Sequence, residues 1–205
     1  AGAWSCVGGD LDGDELTLAN GESAVCTIVN DDQAGNLTLV KVVTNDDGGT
    51  ATADQFTLTA DGEGDTGVSG VGPSVSGAVP AGVYVLSETN VAGYAAGAWS
   101  CVGGDLDGDE LTLGNGESAT CTIVNDDEPA QLELVKVVVN DDGGTALVSD
   151  FTLSADGPTP IAGAGGVSAA VDAGVYTLSE TNVAGYAAGA WSCVGGDLDG
   201  DELTL

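Results

Sequence analysis

Two lysines are the only basic side chains of this 205-residue sequence, and each lies in the same apolar segment. The segment reads LTLVKVV around Lys41 and LELVKVV around Lys136. Because successive side chains of a β-strand point to opposite faces, Lys41 shares a face with Leu37 and Leu39, whereas Thr38 lies on the other. The alternation therefore predicts that the lysine points into the apolar core.

A glutamate and an asparagine give the same result. In VYVLSET, Glu88 shares a face with Tyr84 and Leu86, and Glu180 has the equivalent place in VYTLSET. In CTIVN, Asn125 shares a face with the cysteine and the isoleucine, while the threonine lies opposite. All three polar residue types are thus predicted to point inward.

Burying a lysine, a glutamate and an asparagine is unfavourable unless they satisfy one another. One interpretation is a buried ion pair with an asparagine hydrogen bond. The other is chemical, since burial favours the uncharged forms of an amine and a carboxyl group. A neutral amine can attack the asparagine carboxamide carbon while the glutamic acid polarises the carbonyl and transfers protons. Ammonia then leaves and a Lys–Asn isopeptide bond remains, with the strands supplying the proximity.

Internal repetition sets the organisation of the chain. The segment AGAWSCVGGDLDGDELTL occurs without substitution at 1–18, 96–113 and 188–205. The pattern predicts repeats of about 90 residues and a window on a longer array. Its pieces are the C-terminal part of a repeat at 1–32, a complete repeat at 37–127 and the N-terminal part of a further repeat at 132–205.

Each repeat is predicted to be all-β. Short segments rich in valine, threonine and leucine alternate apolar and polar residues, and turn signals such as NDDGG and NGE separate them. No segment shows a helical period. About seven short strands in such a length favour tandem immunoglobulin-like β-sandwiches.

The order of the three polar residues resembles a known family. A lysine in the first strand, a glutamate in an ETxxxGY-type segment and an asparagine in the last strand resemble the collagen-adhesin B-type domains, the prealbumin-like sandwiches of Gram-positive pilins and adhesin stalks. The resemblance implies that Lys41 and Asn125 form the isopeptide bond, with Glu88 as its catalyst. The glutamate segment here, LSETNVAGY, is one residue shorter than the family's LxETxAPxGY and lacks its proline.

The same resemblance assigns roles in the two incomplete repeats, which lack one or more of the lysine, glutamate and asparagine. Lys136 would bond an asparagine that follows residue 205, with Glu180 as the catalyst. Asn30 would serve a lysine that precedes residue 1.

The five cysteines follow the repeat. Cys6 and Cys26 have the same spacing as Cys101 and Cys121, and Cys193 corresponds to the first member of each pair. No C-x₂-C spacing occurs, so zinc is disfavoured. Disulfides Cys6–Cys26 and Cys101–Cys121 are expected, and they indicate an oxidising, extracellular location.

Acidic loops are candidate calcium sites, and calcium is the only cofactor that the sequence indicates. The alternating carboxylates of GGDLDGDEL resemble the first half of an EF-hand loop but lack its later glycine and glutamate, so a solvated hairpin is the alternative. These carboxylates are Asp10, Asp12, Asp14, Asp105, Asp107 and Asp109. A second set, Asp126 and Asp127, follows the last strand. It would meet Asp46 and Asp47 of the NDDGG loop if the first and last strands run parallel.

Charge and composition narrow the function classes. The chain has 33 acidic residues, no histidine and a formal net charge of −31. This charge disfavours nucleic acid and anionic membranes as partners. Histidine-dependent catalysis is excluded, and no apolar run reaches the roughly 18 residues of a membrane span. We expect a self-associating extracellular fibre, pilus or adhesin stalk. The alternative is a cell-surface ligand-binding module that uses the candidate calcium sites. An enzyme is disfavoured because aromatic residues are few.

Overall fold

The computed structural model describes residues 2–64 and 66–205. Ala1 of the first repeated segment and Asp65 of a glycine-rich stretch lie outside the described residues. Regular structure in the described chain is β-strand, apart from two one-turn 3-10 helices at Ala53–Gln55 and Val148–Asp150. The all-β prediction is therefore confirmed. In the residues described, no helix has the length and apolar character that crossing a bilayer requires.

The strands form three groups along the chain. The N-terminal piece contains β1 (Ser5–Val7), β2 (Asp10–Asp12), β3 (Glu15–Thr17) and β4 (Val25–Thr27). The central unit contains β5 (Gly35–Thr44), β6 (Thr57–Gly62), β7 (Gly67–Val71), β8 (Ser74–Val79), β9 (Gly82–Glu88), β10 (Tyr94–Ala96), β11 (Ser100–Val102), β12 (Asp105–Asp107), β13 (Glu110–Leu113) and β14 (Ala119–Asp127). The C-terminal unit contains β15 (Ala130–Val135), β16 (Thr152–Asp156), β17 (Ile161–Ala164), β18 (Gly166–Val171), β19 (Val175–Glu180), β20 (Asp197–Asp199) and β21 (Glu202–Thr204).

The central unit is a sandwich of two five-stranded sheets. One sheet has the order β10-β14-β5-β8, with β11 also paired to β14, and the other has the order β12-β13-β9-β6-β7. Alternate residues of both sheets face each other, as the period of two requires, and form one apolar core. Its buried members are Leu37, Leu39, Leu58, Ala60, Val79, Tyr84, Leu86, Trp99, Leu111, Leu113, Ala119, Cys121 and Ile123.

The first and last strands of this unit, β5 and β14, run parallel in the middle of their sheet. Their register is continuous from Leu37 opposite Ala119 to Thr44 opposite Asp126. In this register Lys41 of β5 lies opposite Ile123 of β14, and Asn125 follows Ile123 by two residues on β14. Lys41 and Asn125 are both buried, with 3% and 0% exposure. Both side chains therefore point into the core, as the alternation predicts.

The C-terminal unit repeats much of this arrangement around a second core. Strands β17-β16-β19-β21-β20 form one sheet, and β15 pairs with β18. Within the described residues β15 has no parallel partner, and it ends at Val135, whereas β5 continues to Thr44. Lys136 consequently lies just beyond the strand that was expected to contain it.

Both predicted disulfides are present. Cys101 and Cys121 are a directly opposed pair on β11 and β14, and Cys6 and Cys26 are the same pair on β1 and β4. Their surroundings differ, because Cys121 is fully buried in the core whereas the N-terminal piece is mostly exposed. Cys193 is a free, exposed thiol in the described chain.

The two disulfides provide a matched test of the fold. Replacing Cys101 and Cys121 by alanine should lower the free energy of unfolding of the central unit by about 2–4 kcal/mol, because the open chain recovers loop entropy. Replacing Cys6 and Cys26 by alanine should change the same transition by less than ~0.5 kcal/mol. Urea denaturation followed by tryptophan fluorescence measures both. Equal losses in the two double variants would contradict the assignment of the core to the central unit.

A buried lysine, glutamate and asparagine as the candidate functional site

Three side chains from both sheets of the central unit converge at one buried point. The Lys41 Nζ of β5 lies 2.8 Å from Glu88 Oε2, at the end of β9, and donates a hydrogen bond to the Asn125 Oδ1 of β14. The side chains of Lys41 and Glu88 are 0% and 7% exposed. Strand alternation turns each of the three inward, and the parallel register of β5 and β14 places the lysine beside the asparagine.

The polar groups of this site satisfy one another only in part. The Lys41–Glu88 contact is an ion pair outside hydrogen-bond geometry. As a result both Glu88 carboxylate oxygens, like Asn125 Nδ2, lack a hydrogen bond to any described residue. Buried polar atoms in this state are costly, at roughly 1–3 kcal/mol each. The arrangement brings reactive groups together more than it stabilises the fold.

Phe56 forms a wall of the site that strand alternation did not identify. Its ring is fully buried, and its centroid lies 4.5 Å from Lys41 Nζ. The ring covers the amine with apolar surface and offers it a cation–π contact. A sequence signal was available, because Phe56 and Phe151 are the only two phenylalanines and occupy equivalent places in the two repeats. The structure gives Phe151 the same 4.5 Å distance to Lys136 Nζ.

The C-terminal unit holds two of the three site residues. Lys136 Nζ lies 2.5 Å from Glu180 Oε2, and both side chains are about one sixth exposed. A groove of about 550 Å³ opens beside them, and Leu153, Leu178 and Trp191 contribute to its lining. No described asparagine bonds to Lys136. Asn30 is exposed in the N-terminal piece, and no described lysine contacts it.

A tyrosine fixes the NDDGG loop next to the site. The Tyr94 hydroxyl donates to Asn45 Oδ1 at 2.5 Å and accepts the Ala51 N–H at 2.7 Å, and its ring packs edge-on against Phe56. Tyr186 makes the same contacts in the C-terminal unit. The ETNVAGY segment therefore positions the loop through its tyrosine as well as supplying the glutamate.

The last residue of β14 holds the same loop from the other side. Asp127 Oδ1 accepts the Asp46 N–H at 2.8 Å, and Oδ2 accepts the N–H groups of Asp47 at 3.0 Å and Gly49 at 2.5 Å. A side chain at Gly49 would lie 2.4 Å from the Tyr94 hydroxyl, so only glycine fits there. The first and last strands thus join at their ends as well as along their length.

The charge of Asp127 is supported by these bonds. Desolvation alone would raise its pKa, but the N–H groups of Gly49, Asp47 and Asp46 more than offset that and hold the pKa below its usual range. The neighbouring Asp126 has the opposite shift. Its pKa is raised, first by desolvation and then by the negative charges of Asp46 and Asp127.

These carboxylates bear on the calcium prediction. Oxygen atoms of Asp46, Asp47 and Asp127 lie within 4.8 Å of one another, and Asp126 does not belong to the group. Asp127 already accepts three N–H bonds, which leaves its oxygens less free to bind a cation. The hairpin aspartates are exposed, and none joins a group of three acidic residues within the described residues; they are Asp10, Asp12, Asp14, Asp105, Asp107 and Asp109. Calcium at either place stays a prediction.

Asp127 and Asp126 form a test pair with opposite expected signs. Because the pKa of folded Asp127 is depressed, its stabilisation is present above the pKa of the unfolded chain and is lost as pH falls through the folded value. Asp127→Ala should therefore lower the melting temperature at pH 7 and flatten its decline in acid. Asp126→Ala removes a group whose raised pKa reports repulsion, so it should leave that temperature unchanged or higher. Melting curves between pH 7 and pH 2 measure both, and a pH 7 loss with Asp126→Ala would refute this account.

One family and two solved structures are similar to this chain. The family described as "Prealbumin-like fold domain" matches residues 1–28, 32–123 and 127–205. Among solved structures, the Bacillus anthracis TIE protein aligns over 98% of this chain and 39% of its own, with a TM-score of 0.51 and 17% identity. A Streptococcal ancillary pilin aligns over 86% of this chain and 60% of its own, with a TM-score of 0.31 and 18% identity.

The comparison with curated proteins finds no match. The chain spans 39% and 60% of the two solved chains, so they are compared with it only in part. The family match covers nearly the whole sequence and agrees with the two-sheet sandwich of the central unit. The chain belongs to the family of prealbumin-like fold domains.

Proposed function

We propose that this chain is a segment of an extracellular fibre, pilus or adhesin stalk, built from tandem prealbumin-like sandwiches of about 90 residues. The repeat boundaries are those of the sequence pattern, at 1–32, 37–127 and 132–205. Each complete repeat closes itself with a Lys–Asn isopeptide bond. The observation that carries the proposal is the buried contact of Lys41 with both Glu88 and Asn125.

The reaction balances within the three side chains. The neutral Lys41 amine attacks Asn125 Cγ, so that a C–N bond forms and the Cγ–Nδ2 bond breaks. Glu88, in its acid form, donates a proton toward the carboxamide and recovers one from the amine. One ammonia leaves. The secondary amide that remains carries no charge, which removes the buried ion pair.

The surroundings favour this reaction over a permanent ion pair. The Phe56 ring and the closed core limit the access of water to the Lys41 amine. The strand register holds the two reacting groups together, which replaces a bimolecular encounter. The Asn125 Nδ2 group has no hydrogen bond to a described residue that its departure would break.

The proposal describes a structural protein rather than an enzyme. The reaction consumes its own lysine and occurs once per repeat, so it is a self-modification without turnover. Two disulfides fit an oxidising location outside the cell. Near-identical units in series extend a chain without adding new sites, as a stalk or fibre requires. The partners of each repeat are the neighbouring repeats.

Intact mass of the full chain, after reduction and denaturation, tests the bond. The wild type should weigh one ammonia less than its sequence, because the central unit alone holds all three residues. Lys41→Ala, Asn125→Ala and Glu88→Gln should each have the full sequence mass. Fragmentation should locate the deficit in a branched peptide that joins the strands of Lys41 and Asn125.

Lys136→Ala is the matched control. Lys136 has an equivalent ion pair and ring contact, but no described asparagine forms a hydrogen bond with it. It should keep the one-ammonia deficit. A wild type at full sequence mass would eliminate the isopeptide and leave a buried polar cluster in its place.

A further inference from the structure

The central and C-terminal units touch through backbone atoms away from their short linker. The Ala173 N–H, in the turn between β18 and β19, donates to the Asp47 carbonyl at 2.7 Å. A Cβ built on Gly48 would lie 2.4 Å from the Ala173 carbonyl oxygen. The NDDGG loop of one unit (45–49) and the turn of the next (171–174) are therefore in direct contact, and we call this contact the joint.

The two repeats allow an internal comparison. A second NDDGG loop lies at 140–144 and a second turn at 79–82, and within the described part of the chain neither of them takes part in such a contact. Asp47 is half-buried, whereas its equivalent Asp142 is exposed. Ala173 is half-buried, whereas its equivalent Ala81 is exposed. The turn is thus more buried where a loop docks on it, and the loop is more buried where both β14 and the turn lie beside it.

The loop has its shape before it docks. Gly48 and the equivalent Gly143 adopt left-handed φ values of 90° and 86°, and equivalent tyrosines anchor both loops. Among the described residues, the central loop has a docked partner and the equivalent C-terminal loop has none. A preformed loop loses little conformational freedom on contact, which suits a docking element.

We propose that the NDDGG loop is the element that sets the orientation of one repeat to the next, by docking on the Val-x-Ala-Gly turn of the repeat that follows. The occupant of the loop's outer face is thus the following repeat of the same chain. Since Asp127 ties this loop to the end of β14, the joint is linked to the strand that completes the preceding sandwich. The inference rests on the proposed tandem array but not on the isopeptide bond.

The joint brings several carboxyl groups of like charge together, so its stability should depend on how many of them are ionised. The carboxyl groups at the joint are Asp46 and Asp47 on the loop, Asp126 and Asp127 on β14, and Asp172 on the turn. The pKa of Asp47 is raised by desolvation and then by the other four. Removing one of these charges without changing side-chain shape should therefore strengthen the docking.

Amide hydrogen exchange of the full chain, followed by NMR, tests the joint. Gly48→Ala places a methyl group against Ala173 and should make the Ala173 amide exchange about tenfold faster. Gly143→Ala is the matched control. It introduces the same left-handed strain at a position where a Cβ meets no atom within 4 Å, and it should leave Ala173 unchanged.

Two reference amides show whether the units themselves stay folded. Leu86 and Leu178 are equivalent and donate to Asp109 and Asp201 within their own units, both at 2.8 Å. They should exchange alike in wild type and Gly48→Ala. If Gly48→Ala changes the exchange of the Leu86 amide, the variant Asp172→Asn tests the docking instead. Relief of charge repulsion should slow exchange of the Ala173 amide by about twofold.

The proposal is overturned if the Ala173 amide is unprotected in the wild type. It is equally overturned if Gly48→Ala and Gly143→Ala have the same effect on that amide, or if Asp172→Asn leaves it unchanged. The mass measurement reports separately on the isopeptide, so that a chain without the ammonia loss can still show a protected Ala173.

Discussion

The parallel pairing of β5 with β14 is the interaction on which the rest of the central unit depends. It joins strands more than 80 residues apart in sequence, and it places Lys41 beside Asn125 under the end of β9. The C-terminal unit shows what happens without it among the described residues. There the first strand stops one residue before Lys136, and the lysine and glutamate become partly exposed. Burial of the polar site is thus a product of the closing strand, not of the lysine segment alone.

The sequence was sufficient for features that follow from local periodicity. Alternation along single strands predicted the inward orientation of Lys41, Glu88 and Asn125, and the repeat spacing predicted both cysteine pairs. It was insufficient where function depends on which loop meets which strand. Phe56 and Tyr94 act through contacts across the sandwich, and Asp127 acts on a loop about 80 residues earlier in the chain. Neither a period of two nor a turn signal carries that information.

The duplicated segments also separate the effect of a residue from the effect of its surroundings. Identical LVKVV, NDDGG and ETNVAGY segments occur in two environments within one chain, so differences between them arise from their partners. The lysine–glutamate pair and the aromatic contact form in both units, which makes them intrinsic to the repeat. In the part of the chain that the structure describes, full burial of the lysine and the loop–turn contact occur once, where a closing strand or a following unit is present.

The direction of β5 and β14 determines how a unit meets a pulling force. The chain enters at the start of one strand and leaves at the end of the other, so tension on the two ends slides the strands past each other. In that geometry the eight aligned residue pairs of the ladder share the load together instead of opening one by one. With the proposed bond in place, the path of the force crosses directly from Lys41 to Asn125. These two residues are 84 positions apart in sequence, and the chain between them is then bypassed, so that the unit can lengthen only through the few residues at either end.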